Sequence, residues 1–549
     1  MSLQLEAERR RKGGQARLLR TYGCRGRGYH AYDWRDRLTS QLDPNGGATI
    51  YSYDNLDNKR TLTDPDQNTT TWSYDSLGRA WKEINQAGAS RNYSYDLAGK
   101  LLSKTDRDGR ITAFEYDSLG RKTAEKWCDG TIVLHTFTYA YDAVGELTSA
   151  SDPNATYTYT YDPLGRTVTT SGQIAALTPA VVLTGGYDDA GNLTQIAATI
   201  DRAADVVNNY QYDSAGRMTE ATQAGVTGGN AVAPKQADLS YNADGQFSTI
   251  ARYADLAGDD PVAASEYGYD GLGRLTTLTH AQGSTNLAGY TRQYDRANDL
   301  THEVSVDGTA NYSYDPTGQL TAATYTGGQA DETYTYDPNG NRETANGSTY
   351  ATGTDNQMTS DGTYTYSYDG EGNRTARWVA SGAGETQPGA GDSEITTYTW
   401  DNRNRLTAVT HYASYTAYSA SPPTPDQTVT YTYDVFNRWI GETTTAGGST
   451  TQTRFVYGSN QIVLQFDMAG AGDAAASDLS HRYLWGPGVD ELFSDEQLLG
   501  APQVVWALGE ELNTLGDLAV HSGGATSVVN HRVLSGKRPA EHVLDAVVA

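Results

Sequence analysis

The sequence predicts an all-β protein, an array of β-hairpins in which one unit of about 21 residues is repeated and stacked on itself. Three observations carry that expectation. Tyr-Asp pairs begin at Tyr32, Tyr53, Tyr74, Tyr95 and Tyr116, 21 residues apart, and continue at Tyr141, Tyr161, Tyr187, Tyr212, Tyr269, Tyr294, Tyr314, Tyr336, Tyr368 and Tyr433. The phrase around each pair alternates and then breaks, as in YTYTYDPLGR (157–166). The composition is poor in aliphatic core formers: 37% hydrophobic, with 40 Tyr against 7 Phe. Tyrosine suits a two-faced sheet, because the ring buries while the hydroxyl keeps a polar partner.

Within one repeat, Tyr-x-Tyr-Asp has the period of two expected of a strand, with tyrosines on one face and Thr, Ser or Gln on the other. The residues after Asp are turn formers. An Asp at the first turn position accepts N–H bonds from two residues on, and Pro at the second presets φ. Gly at the fourth position supplies the left-handed residue that a type I turn with a bulge requires. The residues expected to hold these turns are Tyr32, Asp33, Tyr53, Asp54, Tyr74, Asp75, Gly78, Tyr95, Asp96, Gly99, Tyr116, Asp117 and Gly120 in the first five repeats. Further along they are Tyr161, Asp162, Gly165, Tyr212, Asp213, Gly216, Tyr269, Asp270, Gly273, Tyr314, Asp315, Gly318, Tyr336, Asp337 and Gly340. Tyr241-Asn242 and Trp400-Asp401 read as worn copies. The Arg after Gly (Arg79, Arg121, Arg166, Arg217, Arg274) is expected over a Tyr ring or beside an Asp. A single hairpin is not stable alone, so stacking must bury the tyrosine ladders.

Four segments follow. Residues 1–30 read as a basic, disordered lead-in, 31–455 as the repeat array, 456–533 as a distinct downstream segment and 534–549 as a divergent tail. The lead-in has no apolar stretch of the signal-peptide kind. No run is long or apolar enough to span a membrane as a helix. A net charge of -26 argues against a nucleic-acid partner. Cys24 and Cys128 are too few for a disulfide framework, and the nine histidines lack metal-ligand spacing. The run Asp106-Arg107-Asp108-Gly109 mimics part of a calcium loop, but Lys104 stands where its first carboxylate belongs. With no nucleophile elbow and no phosphate loop, no catalytic residue, metal or cofactor is expected.

Repeated Tyr-Asp-x-x-Gly-Arg-Leu at this spacing resembles the RHS/YD-repeat family of bacterial RHS and wall-associated proteins, insecticidal Tc toxin components and teneurins. A second resemblance lies downstream, in HRYLWGPGVDELFSDE (481–496), VVWALGEELNTLGDLA (504–519) and VVNHRV (528–533), which are similar to the stretch leading into the RHS core. The resemblance implies a spiralling, hollow β-shell around a variable C-terminal toxin, which an aspartyl autoprotease cuts free. Asp162-Pro163-Leu164-Gly165, Asp315-Pro316-Thr317-Gly318 and Asp337-Pro338-Asn339-Gly340 are similar to the family's cleavage site, but each is also an ordinary repeat turn. Where relatives carry Asp-His-Leu-Gly-Thr-x-Arg-Asp-Leu, Glu510 to Leu518 lack the His and the Arg. After Val533 the pattern is lost, which reads as a frameshift or truncation that removes the autoprotease and the cargo.

The expected function is therefore a structural shell, secreted or at the cell surface, whose partner is a C-terminal toxin encoded downstream. The competing reading is a carbohydrate- or cell-surface-binding module in which strips of exposed tyrosine stack on surface glycans. A third is a fragment without function of its own.

Overall fold

A computed structural model describes residues 17–23, 26–488, 491–509, 517–522 and 524–531. Apart from the four-residue helix Tyr415–Tyr418 and two single 3-10 turns, the regular structure among these residues is β-strand. Strands pair antiparallel with their neighbours in the chain, in two sheets that part between Ser348–Thr349 and Ala351–Thr352. Ala155–Tyr161, for instance, pairs with Thr167–Ile174 from Ala155↔Ile174 to Tyr161↔Thr167. The register shifts by one residue between Thr160 and Tyr161. The same bulge sits just before the Tyr of other repeats, at Ser73/Tyr74, Ser94/Tyr95 and Gln211/Tyr212. A bulge with a left-handed residue at its turn lets the hairpin close while keeping the twist of its strands.

The chain divides into two compact units, one of residues 1–134 with 292–426, the other of 135–291 with 427–549. In the first unit the early strands are half-buried along their whole length, as in Thr69–Tyr74. Its apolar cluster gathers Ala376, Trp378, Ile395 and Tyr412. The second unit is drier. Tyr210, Met218, Ala221, Ala237, Leu239 and Ile250 close on Leu484 and Phe493. Val262 and Ala263 close on Trp506, Leu508 and Ala519. Leu484, Phe493, Trp506, Leu508 and Ala519 thus supply five of the thirteen residues of these two clusters.

The lead-in expected over 1–30 ends earlier than the sequence suggested. Arg17–Gly23 pairs with Gly26–Tyr32, which pairs in turn with Leu38–Leu42. Antiparallel pairing recruits this segment because its basic residues are interleaved with Leu, Thr and Tyr rather than massed. Residues 510–516 and 534–549 lie outside the described residues; Asp517–Ser522, just after the first of these, is a strand.

Candidate functional site

The repeat turn is where chemistry was to be sought, and Asp162 shows how it is built. Its Oδ1 accepts the backbone N–H groups of Leu164 (2.9 Å) and Arg166 (3.0 Å). Its Oδ2 accepts Nε of Arg166 at 2.6 Å. Gly165, at φ +78°, donates its N–H back to the Asp162 carbonyl. The Arg166 backbone N–H leads in holding the Asp162 carboxyl below its ordinary value, with the Arg166 side chain adding to it. With Arg166 Nη2 also on Oδ2 at 2.6 Å, the carboxylate is a turn clamp whose acceptor positions are taken.

The same closure, in which the residue three after Asp donates to its carbonyl, is made at Asp33, Asp54, Asp75, Asp96, Asp117, Asp213, Asp270, Asp315 and Asp337. Where Gly is missing, Asp36, Asp57, Asn404 and Asn437 take the positive φ instead, which their short polar side chains tolerate.

Tyrosine and arginine tie one repeat to the next. Tyr74 donates its hydroxyl to the Lys59 carbonyl, Tyr95 to Ala80, Tyr116 to Leu101 and Tyr161 to Leu147. Each acceptor lies at or just before the start of the preceding repeat's returning strand. Arg79 lies over the Tyr95 ring at 4.8 Å and donates to the Asp96 carbonyl. Arg166 does the same with Tyr187 and Asp188. Among the described residues no tyrosine is exposed, so the strips of exposed tyrosine on which a glycan-stacking surface would depend are not there. Burial of these rings was the stronger demand, because the array has few other apolar groups to cover its sheet.

Successive strands alternate two kinds of turn. Tyr-Asp turns lie along one edge, and the turns at Asp43, Asp64, Asn85 and Asp106 lie along the other. In the first unit this second edge meets the Tyr-Asp turns of residues 315–404. Asn45 donates to Asp315, and Asn339 and Asn356 donate to Asp64. Asp355 accepts the N–H groups of Gln86 and Ala87, and Arg403 binds Glu125 at 2.7 Å. Glu371, its side chain fully buried, receives Arg91 and the Arg107 N–H. Burial works against its charge, but these donors win, and its carboxyl falls to about 2.

A cleft of about 630 Å³ opens on this seam, lined by Asp64, Asn68, Asn85, Asn356, Glu371 and Arg374 among others. Its carboxylates are spent within the seam, and Arg374 lies over the Tyr366 ring at 4.3 Å. The calcium-like run takes part as well. Asp106 accepts the N–H groups of Asp108 and Arg110 and the Arg110 Nε, leaving a closed turn. Among the described residues no group of three or more His, Cys, Asp or Glu is placed to hold a metal ion.

One constellation escaped the sequence reading. Ser265 Oγ lies 2.8 Å from His280 Nδ1, and His280 Nε2 lies 3.8 Å from Asp517. Ser265 and His280 face each other on paired neighbouring strands, Asp517 comes from far along the chain, and the three follow no motif. All three are wholly buried. Burial, with Arg252 adding to it, pushes His280 down to about 3. Ser265 also receives Arg252 at 2.8 Å, and Asp517 receives the Tyr290 hydroxyl at 3.0 Å. A neutral imidazole in contact with Ser265 has the parts of an acyl-transfer pair. Here, however, the hydroxyl is sealed beneath the sheet, where no substrate can meet it.

His481 is stacked on Tyr483 and is also charge-paired. Its Nδ1 lies 2.7 Å from Asp495. Burial opposes its protonation, yet Asp495 and Asp467 prevail and raise its pKa.

The RHS-repeat family model matches residues 32–69, 95–126, 138–173, 187–225 and 294–330. The chain belongs to the RHS-repeat family. No curated protein sequence matches this RHS-repeat chain significantly. Among solved structures it is similar to the crystal structure of TcdB2-TccC3-Cdc42, with a TM-score of 0.73 at 14% identity, covering 95% of this chain and 29% of that one. It is also similar to TcdB2-TccC3 without its hypervariable C-terminal region, with a TM-score of 0.72, 14% identity and the same two coverages. The Photorhabdus luminescens Tc holotoxin pore gives 0.71 at 14% identity, over 95% of this chain and 29% of that one. At such identity the likeness is one of fold, and the RHS-repeat chain spans less than a third of the length of these structures.

Proposed function

We propose that this RHS-repeat chain is the scaffold wall of a secreted toxin carrier, a β-shell whose cargo is a C-terminal toxin encoded downstream, and that it has no catalytic activity of its own. One observation carries the reading. In the repeat of Tyr161 and Asp162 the groups that could do chemistry are spent on holding the array: the Asp carboxylate on its own turn, the Tyr hydroxyl on the preceding repeat, the Arg166 guanidinium on the following one. An array held by fasteners of this kind is a wall. The Tc likeness over 95% of the chain supports a wall of the shell kind. Electron microscopy of the purified chain tests it. Particles with a central void are expected, and a solid particle or an open ribbon would overturn the shell.

A further inference from the structure

The seam of the first unit is stepped, and the same position of the turn meets the later segment at each step. Two residues after Asp43, Asn45 lies against Asp315. Two after Asp64, Asp66 lies against Asp337, and two after Asp106, Asp108 lies beside Asp369. Asn45 is a donor and meets its aspartate directly, Nδ2 to Oδ2 at 2.7 Å. Burial opposes the Asp315 charge, but the donors Gln319, Thr317 and Asn45 prevail and hold its carboxyl low.

Asp66 brings a second acid to the same place. Asn341 Nδ2 donates both to Asp66 Oδ2 at 3.1 Å and to Asp337 Oδ2 at 2.9 Å, so two carboxylates crowd on one amide. Asp64 stands beside them and accepts Asn68, Asn339 and Asn356. The basic side chains of the flanking strands are engaged elsewhere. Lys59 lies over the Trp72 ring, Arg342 over Tyr334 and Tyr350, and Arg60 acts on Asp54. At the next acid step the Gly370 N–H binds Asp108 at 2.6 Å, next to Asp369 and Asp106, and Arg110 reaches its other oxygen at 3.2 Å. That conflict is therefore partly met. The turn does not require an acid at this position, since Asn45 occupies it one step earlier.

We propose that this seam is an acid-tightened latch, in which Asp66 and Asp337 take up one proton from solvent between them and exchange a repulsion for a hydrogen bond. Asp108 and Asp369 form a second, weaker step of the same kind. Two like charges held this close are relieved when one of them is neutralised, and the new O–H then donates to the remaining carboxylate. The Asp66 carboxyl accordingly lies above its ordinary 3.8, first through burial and then through the charge and hydrogen bond of Asp337. The folded chain thus takes this proton before an unfolded aspartate does. The contribution is present in mild acid and lost as the pH rises through the raised value.

Hydrogen exchange of the full chain at pH 7 and pH 5 tests the latch. It is read at the amides of Gln86, Ala87 and Asp355, which donate across the seam. Protection, relative to the intrinsic rate at each pH, is expected to rise about threefold or more on acidification. Asp66→Asn should show the higher protection already at pH 7 and gain nothing further at pH 5. Asn45→Asp should do the reverse, losing protection at pH 7 and recovering it at pH 5, because it sets a second acid against Asp315. The latch is overturned if acid brings the wild type no gain, or if Asp66→Asn keeps the gain. It is equally overturned if Asp66→Asn is less protected than the wild type at pH 7, or if Asn45→Asp matches the wild type at both pH values.

Discussion

The two units join their distant segments in opposite ways. The first unit uses turn against turn, with amide bonds such as Asn339–Asp64 and ion pairs such as Arg91–Glu371 and Arg403–Glu125, in which the arginine stays within reach of water. The second buries its joints. Arg482 grips both oxygens of Asp205 at 2.7 and 2.9 Å with neither side chain exposed beyond a few per cent, and fully buried Lys235 binds Glu496 at 3.0 Å. One repeat can thus be zipped wet or dry. The difference lies in what each joint costs when cut, because a charge stranded in the interior is far worse than one that water can reach.

The largest effect should therefore come from Asp205→Ala, which leaves Arg482 buried without its bidentate partner. We expect a loss of about 3–5 kcal/mol, read as the urea midpoint of unfolding. The paired replacement Asp205→Leu with Arg482→Met should recover most of it. If the single and double variants fall equally, the joint is held by packing alone and the contrast between the units fails.

In the wet seam, Glu371→Gln should cost about 1–3 kcal/mol by leaving Arg91 short of its partner. Its pH dependence sharpens the point. The Glu371 carboxyl lies at about 2 when folded against an ordinary 4.5. Its contribution is therefore complete above pH 4.5 and is lost as the pH falls towards 2. The wild type should lose stability across that window more steeply than Glu371→Gln. His481 runs the other way. Its raised pKa gives a contribution that is present in mild acid and lost as the pH rises through that value.

Much of this was legible in the sequence because the repeat is local. Asp162, Gly165 and Arg166 fall within five residues of one another, so their turn follows from turn chemistry alone. The seam is not local. Glu371 and Arg91 are 280 residues apart, and nothing in either repeat names the other. The change from Leu at 56, 77 and 119 to Thr317, Asn339, Glu371 and Arg403 at the same turn position was the available signal. It could be read only once the two edges had been told apart. Ser265, His280 and Asp517 gave no signal, since ordinary strand positions carry all three.

Between the joints, the fastener that links one repeat to the next should be of middling strength. Tyr74→Phe removes a single hydroxyl from the Lys59 carbonyl while keeping the ring. We expect about 1 kcal/mol, with the same loss at Tyr95 and Tyr116 if the repeats are equivalent.

The smallest effect separates wall from surface. Leu77→Ser touches no partner, because its backbone N–H keeps the Asp75 bond and its side chain is already in water. Stability should change by less than about 0.5 kcal/mol, measured by the same urea midpoint. A larger loss would mean that Leu77 packs against something within the folded chain, and the exposed edge would then belong to the scaffold as the seam does. A null result leaves Leu77 as a turn residue whose side chain the fold does not need.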